Sequence, residues 1–258
     1  TSLYVTFISC IFCPRKKNLA GEIVLITGSA KGIGRQVALK FASLGTTLVL
    51  WDIDEEGNKE TRALAQEKGA KRVFAYKCDC SNREEVYEQA EKVKKEVGDV
   101  SILVNNAGIL IGKTFSDLSS DEFEKTIRVN FLGQAWTCKA FLPAMIACNH
   151  GHLVSMASAT ALASFYKQSD YSASKFAVVG LMEAIDYEMY QAGKNGIKTT
   201  IIYPSFVNTA LVRGVRSYNQ LFFPVYEAEY VASRIVDAVQ KEKFYLIMPR
   251  TLLVFAFK

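Results

Sequence analysis

Residues 23–34 read Ile23-Val24-Leu25-Ile26-Thr27-Gly28-Ser29-Ala30-Lys31-Gly32-Ile33-Gly34. The opening run is continuously apolar and mostly β-branched, as in a strand covered on both faces of a parallel sheet. Three glycines follow, and Ile33, Val37 and Phe41 then recur at helical spacing. Strand, glycine-rich turn and helix in this order suit a dinucleotide-binding unit, although the spacing is T-G-x-x-x-G-x-G and not G-x-G-x-x-G. Gly28 would permit the tight turn, Gly32 the approach of a pyrophosphate to the backbone, and Gly34 close packing of helix on strand. The helix N-terminus would turn its N–H groups and positive dipole toward the phosphates. Thr27, Lys31 and Ile33 share this loop. A plain strand-to-helix turn looks the same, so the rest of the chain has to decide.

The same alternation continues to the end of the chain. Further apolar, β-branched runs predict strands at 47–51, 73–76, 102–104, 152–156, 199–203 and 245–248. Helical patterns lie between them. Ser81-Asn82-Arg83-Glu84 reads as a capping box opening a helix with Val86, Ala90, Val93 and Val97 on one face. Longer helices are expected over about 121–147, 170–192 and 227–240. Seven strands with intervening helices and no repeat predict an α/β chain. The expected architecture is a single Rossmann-like, doubly wound parallel sheet with helices on both faces. In such a sheet the ligand sits at the carboxyl ends of the strands.

The 258 residues are 50% hydrophobic and 22% charged, which excludes a disordered or collagen-like chain. The net charge is +5, and Arg15, Lys16 and Lys17 supply three of those charges before the first acid, Glu22. The remaining body is near neutral and lacks the basic stripe of a nucleic-acid binder, so no nucleic acid is expected. The run Leu3–Cys13 is apolar and uncharged but shorter than the roughly 20 residues of a membrane span. With its basic flank it reads as the second half of a truncated N-terminal anchor, residues 1–21, whose catalytic domain at 22–250 faces the cytosol. The other reading is a buried N-terminal strand or helix. Residues 251–258 read as the start of a truncated apolar segment. Six scattered cysteines and two histidines give no zinc spacing, so no metal is expected and the thiols are expected to be reduced.

Several residues at the predicted strand ends carry chemistry. Asp52 ends the second strand, where a carboxylate accepts from both adenosine ribose hydroxyls and repels a 2′-phosphate, favouring NAD over NADP. Lys31 pulls the other way. Asp79 ends the third strand and either binds the adenine amino group or caps the helix near Ser81. Asn105-Asn106-Ala107-Gly108 ends the fourth strand, either as a close-approach site for the cofactor or as a turn. Tyr171 and Lys175 stand at i and i+4 on one helix face, roughly 5–6 Å apart at Cβ. An ammonium that close favours phenolate and would lower the Tyr171 pKa toward working pH, as a general base for an alcohol requires. Ser158, past the fifth strand, is placed to hold a substrate oxygen. Asn130, in the helix upstream, is placed to order a water and pass protons to Lys175.

Together, T-G-x-x-x-G-x-G at 27–34, N-N-A-G at 105–108 and the ordered set Asn130, Ser158, Tyr171, Lys175 resemble the short-chain dehydrogenase/reductase family, over about Gly21 to Pro249. The likeness implies that Tyr171 is the acid/base and that Lys175 lowers its pKa while binding the nicotinamide ribose. It also implies that Ser158 positions the carbonyl or alcohol, that Asn130 supports the proton relay, and that Pro204 and Thr209 adjoin the cofactor. Leu48-Val49-Leu50-Trp51-Asp52-Ile53, Tyr76-Lys77-Cys78-Asp79-Cys80-Ser81 and Lys139-Ala140-Phe141-Leu142-Pro143-Ala144-Met145 narrow it. They are similar to the branch of epidermal retinol dehydrogenases and membrane-associated 17β-hydroxysteroid dehydrogenases. That branch implies hydride transfer from a small hydrophobic alcohol, retinol first, to NAD. It further implies a place at the endoplasmic reticulum membrane or lipid droplet and a homodimer through the two long helices. A steroid or other lipid-alcohol dehydrogenase, or a cofactor-binding scaffold, are the alternative readings.

Three stretches depart from the family pattern: Ala161, Ser205 after Pro204, and Ser164-Phe165-Tyr166-Lys167-Gln168 in place of a small, Gly/Pro-containing segment. The last bears on substrate identity. A lid is expected over 206–226, with Leu211, Val212, Leu221, Phe222, Phe223 and Val225 making it apolar.

Overall fold

The computed structural model describes residues 16–212 and 223–255. The strands are β1 (Ile23–Thr27), β2 (Thr47–Asp52), β3 (Val73–Lys77), β4 (Ile102–Asn105), β5 (Gly151–Met156), β6 (Ile197–Pro204), β7 (Phe206–Asn208), β8 (Val225–Glu227) and β9 (Tyr245–Met248). Seven of them form one sheet in the order β3-β2-β1-β4-β5-β6-β9, with every pairing parallel. All seven expected strands are present within two residues at each end. The strand order reverses between β1 and β4, so a crevice opens there at the carboxyl edge.

The helices are α1 (Gly32–Ala42), α2 (Glu55–Glu67), α3 (Arg83–Glu96), α4 (Ser120–Ile127), α5 (Gly133–Cys148), α6 (Ser169–Gln191) and α7 (Ala228–Gln240). One hydrophobic cluster joins Val37, Phe41, Ala65 and Ile235 to one face of the sheet. A second joins Val86, Val93, Phe141 and Met182 to the other. Trp51, fully buried in that second layer, packs its ring 5.7 Å from Phe141, and burial of a side chain this large stabilises by roughly 2–3 kcal/mol.

Local structure differs from expectation in four places. The expected helix over 121–147 is interrupted by a π-helical turn, Arg128–Leu132, between α4 and α5. Ser119, not foreseen as a cap, makes a reciprocal capping box with Glu122. At α3 the box does not form: Asn82 is the cap, accepting from the N–H groups of Glu84 and Glu85, while Ser81 donates to Asp79. A two-stranded ribbon, β7 with β8, stands at the two ends of the segment expected as a lid, a pairing not foreseen.

The domain also starts before residue 22. Leu19 is buried, the Lys17 N–H donates to the Gln240 carbonyl, and Lys16 and Lys17 lie 3.2 and 3.9 Å from Asp237 and Glu242. Two of the three basic-cluster charges therefore have partners on the domain itself. Arg15 and the rest of the expected anchor, residues 1–15, lie outside the described residues, as do lid residues 213–222 and residues 256–258. Residues Arg250–Phe255 form a 3-10 helix with Leu252 buried. Among the described residues no helix is long and apolar enough to cross a membrane.

Candidate active site

Two left-handed glycines shape the loop after β1: Gly28 has φ +69° and Gly32 φ +58°, values that residues with a Cβ rarely adopt. Gly34 is required for another reason. A β-carbon there would stand 2.1 Å from the Gly28 carbonyl oxygen and 2.5 Å from Asn106 Nδ2, so the first turn of α1 sits directly on the loop. The Thr27 hydroxyl accepts from the N–H groups of Asn106 and Ala107, at 3.0 and 3.1 Å. In return Asn106 Nδ2 donates to the carbonyls of Thr27 and Gly28, at 2.9 and 3.0 Å. The side chain of Asn106 thus ties the β4 turn to the glycine loop.

No side chain caps α1, and its first turn carries no acid. Its leading N–H groups are left for an anion. Thr209 stands over the loop, its methyl 3.4 Å from where a Gly32 β-carbon would be, while Pro204 ends β6. Asp52 Oδ2 accepts from the Ala30 N–H at 2.8 Å and Oδ1 from the Asp54 N–H at 2.9 Å, which orients the carboxylate while each oxygen keeps a second lone pair. Lys31 is exposed and lies 3.8 Å from Asp54, not against Asp52. Asp79 Oδ1 accepts both the N–H and the hydroxyl of Ser81, at 2.8 and 2.7 Å, in the turn leading into α3. A glycine cradle, an uncapped helix start and a fixed carboxylate at the end of β2 fit a dinucleotide.

At the other end of the crevice, Ser158 follows β5 and Tyr171 and Lys175 occupy the first turns of α6. Lys175 is buried, with Nζ donating to the Met156 carbonyl at 2.7 Å and lying 5.4 Å from the centre of the Tyr171 ring. Desolvation lowers the Lys175 pKa to about 8. Tyr171 as a whole is half-buried, yet desolvation raises its phenol to about 12, opposed by the Ser158 hydroxyl. The expected lowering of Tyr171 by the ammonium is therefore not what the protein alone produces, because loss of water around the phenol outweighs the other influences. Ser158 Oγ accepts from the Thr160 N–H at 3.2 Å, and Ser158 and Tyr171 line one cleft.

Asn130 falls inside the π-helical turn and is fully buried. Its Oδ1 accepts from the Ile109 N–H at 2.8 Å, and its Nδ2 donates to the Ile109 carbonyl at 2.9 Å and to Ser174 Oγ at 3.1 Å. The amide thus fixes the β4 loop against α6. Gly108 lies in the same junction: a β-carbon there would sit 3.3 Å from Asn130 Oδ1 and 3.7 Å from Lys175 Nζ.

A family model described as short chain dehydrogenase matches residues 22–220. The chain belongs to that family. It is 50% identical over 251 residues to epidermal retinol dehydrogenase 2 of Homo sapiens, covering 97% of this chain and 81% of the relative. It is 42% identical over 247 residues to estradiol 17-beta-dehydrogenase 11 of Homo sapiens, covering 96% and 81%. A crystal structure of a short chain dehydrogenase/reductase from Burkholderia phymatum in complex with NAD superposes with a TM-score of 0.84 at 29% identity, covering 93% of this chain and 92% of that one. The protein is accordingly an oxidoreductase of the short-chain dehydrogenase family with a site for a nicotinamide dinucleotide.

This short-chain dehydrogenase holds several site residues that the motifs do not mark. Asn58 and Thr61, buried on α2, brace the cofactor loop from behind: Asn58 accepts from Ser29 Oγ at 2.7 Å, and Thr61 donates to the Ser29 carbonyl at 2.9 Å. Two polar side chains on the buried face of an otherwise amphipathic helix were the available signal. Phe165, from the departing segment 164–168, joins Leu110, Phe206 and Phe223 on the wall of the Ser158–Tyr171 cleft. Its ring lies 5.3 Å from that of Phe223 and 6.4 Å from that of Phe206. No periodicity marks a loop residue that reaches the cleft.

Proposed function

We propose that this protein oxidises a hydrophobic alcohol with NAD, all-trans-retinol first, giving the aldehyde. The observation that carries the reading is that Ser158 and Tyr171 face one apolar cleft, with Lys175 one helical turn behind. The identity to epidermal retinol dehydrogenase 2 supports retinol as the alcohol. A bound NAD would supply the hydride acceptor. Gly28, Gly32, Gly34 and the start of α1 would hold its phosphates, Asp52 its adenosine ribose and Lys175 its nicotinamide ribose. Ser158 hydrogen-bonds the alcohol oxygen, and Tyr171 takes the hydroxyl proton as the carbon loses hydride. Tyr171 is a phenol at neutral pH, so oxidation requires that it first give up its proton. The buried Lys175 ammonium, 5.4 Å from the ring centre, is the charge on the protein that favours that loss. Asn130 is a positioning residue, holding the β4 loop to α6. A carboxylate at Asp52 would accept from the ribose hydroxyls and repel a 2′-phosphate, which supports NAD over NADP.

We further assign the protein to the endoplasmic reticulum membrane or lipid droplet, with its domain in the cytosol, as a homodimer through α4–α5 and α6. A 17β-hydroxysteroid substrate is the second reading, favoured by the 42% identity to estradiol 17-beta-dehydrogenase 11. NADH formation by full-length protein in reconstituted membranes, offered all-trans-retinol or estradiol, separates the two. Turnover of neither, with NAD still bound, would make the chain a cofactor-binding scaffold. Tyr171→Phe is expected to abolish turnover and leave NAD affinity nearly unchanged.

A further inference from the structure

Five ammoniums crowd the amino edge of the sheet, on the side away from the cofactor crevice. Asp237, in the last turn of α7, has Lys16, Lys241 and Lys243 at 3.2, 2.8 and 3.8 Å. Glu242, two residues beyond α7, has Lys17 and Lys198 at 3.9 and 3.5 Å. Lys198 is the second residue of β6 and Lys243 stands two residues before β9, so the group lies at the amino ends of these strands. Among the described residues, five positive charges on two carboxylates leave a surplus of three, against a net +5 for the whole chain. Farther out, the acids Glu22 and Asp186 are matched by Arg234 and Arg250. The surplus is felt inside the domain. Beyond desolvation, Lys17 and Lys198 repel a proton from buried His152. Burial lowers the Lys243 pKa, and, against the pull of Asp237, Lys241, Arg234 and Arg250 push it the same way. Exposed ion pairs stabilise little, and crowded like charges repel, a cost that an external anionic surface would relieve.

The sequence says where such a surface lies. Only Pro14 and Arg15 separate the apolar run Leu3–Cys13 from Lys16, and three residues of fully extended chain reach no more than about 11 Å. Lys17 is tied to the domain, its N–H donating to the Gln240 carbonyl at 2.8 Å. With the apolar run in a bilayer, the amino edge is held at a distance comparable with the Debye length, roughly 8–10 Å.

We propose that the amino edge of the sheet is a docking surface for anionic lipid headgroups. Lys198 and Lys243, on the folded domain, add to Arg15, Lys16 and Lys17 there, and the contact turns the cofactor crevice away from the membrane. This rests on the membrane assignment above and adds which face of the domain meets the lipid. None of these lysines lies on α4, α5 or α6, the helices assigned to the dimer. A lysine near an anionic leaflet strengthens binding by roughly fivefold.

The test places full-length protein in vesicles of phosphatidylcholine alone or with about one-third phosphatidylserine, and follows lysine acetylation by mass spectrometry. With phosphatidylserine present, acetylation of Lys198 and Lys243 should slow by at least about fivefold, and about 0.5 M NaCl should abolish that protection. Lys59 and Lys113, exposed near the opposite edge, should react alike in both vesicles. Equal rates for Lys198 and Lys243 in the two vesicles overturn the proposal, as does protection of Lys59 and Lys113 instead. Protection by an added RNA oligonucleotide and not by vesicles would assign the edge to nucleic acid and also overturn it. Vesicle flotation separates the surface from the anchor. If phosphatidylcholine vesicles do not retain the protein, the anchor reading fails. The surface then stands only if phosphatidylserine vesicles bind the protein and Lys198→Gln with Lys243→Gln weakens that binding by at least about tenfold. Unchanged binding by the double variant, or no binding at all, overturns it. These neutral substitutions leave Asp237 paired with Lys16 and Lys241 and Glu242 with Lys17, so the fold is kept.

Discussion

Lys175 Nζ donates a 2.7 Å hydrogen bond to the carbonyl oxygen of Met156, the last residue of β5. The bond joins α6 to the sheet two residues before Ser158, and it places an ammonium in a dry junction. Burial lowers the Lys175 pKa from 10.5 to about 8, so below about pH 8 the charge opposes folding by roughly 3 kcal/mol. The sign follows from linkage: the unfolded chain binds this proton more tightly, and the penalty fades as pH rises from 8 to 10.5. Lys175→Met should therefore lose activity by at least about a hundredfold while its thermal midpoint at pH 7 stays level or rises. Its stability relative to the unchanged protein should decline toward pH 10.5. Denaturant titrations across that range measure the difference.

Gly34→Ala adds a β-carbon 2.1 Å from a backbone oxygen that no side-chain motion can clear. Overpacking of this kind costs about 1–3 kcal/mol, and here the strain falls on the cofactor loop. Chemical denaturation should show the loss, and calorimetric titration should show NAD binding weakened by at least about tenfold.

Asp52→Asn replaces an acceptor that holds the Ala30 and Asp54 N–H groups. A hydrogen bond to a charged group contributes about 1.5–3 kcal/mol. The NAD dissociation constant is expected to rise about 10- to 100-fold, with a smaller change for NADP because repulsion of the 2′-phosphate is also removed. An unaltered NAD/NADP ratio would show that another group, Lys31 first, sets the preference.

His152 is buried in β5, with Nε2 2.7 Å from Thr200 Oγ1. Desolvation, with Lys17 and Lys198 adding repulsion, lowers its pKa from 6.5 to about 3. The unfolded state takes up a proton near pH 6.5 that the fold refuses, so stability falls as pH drops from 6.5 toward 3, at up to about 1.4 kcal/mol per pH unit. His152→Gln should flatten that acid limb, read from urea midpoints at a series of pH values.

The sheet was legible because its central strands are buried on both faces and so read as unbroken apolar runs, as in Leu48–Leu50 or Leu153–Val154. The cofactor loop was legible because left-handed backbone and a 2.1 Å approach leave Gly28, Gly32 and Gly34 no alternative. The β7–β8 ribbon was not, since its strands are three residues long and β8 is largely exposed, leaving no alternation to detect. The cap of α3 was misread by one residue because Ser81 and Asn82 are both good caps. Asp79 claims the serine through an i, i+2 turn, which leaves Asn82 as the cap. Tyr171 stands near the start of α6 as expected; spacing reports a nearby charge, whereas the phenol in the protein alone responds to desolvation, which depends on distant residues.

The π-helical turn Arg128–Leu132 has a consequence for how this region tolerates changes in length. Such a turn carries one residue more than regular α-helix. Deleting any residue within it would give a straight, well-bonded helix, an apparent improvement in local geometry. The same deletion would leave α4 and α5 in nearly their present orientation, because the wider turn absorbs its extra residue locally, so the change would fall on the turn itself. Thr126, which donates to buried Asp170 next to Tyr171 at 2.7 Å, lies on α4 and would keep its place, while Asn130, inside the turn, would no longer reach Ile109. At this place the number of residues is constrained more tightly than their identity, and shortening by one would trade the active site for a better helix.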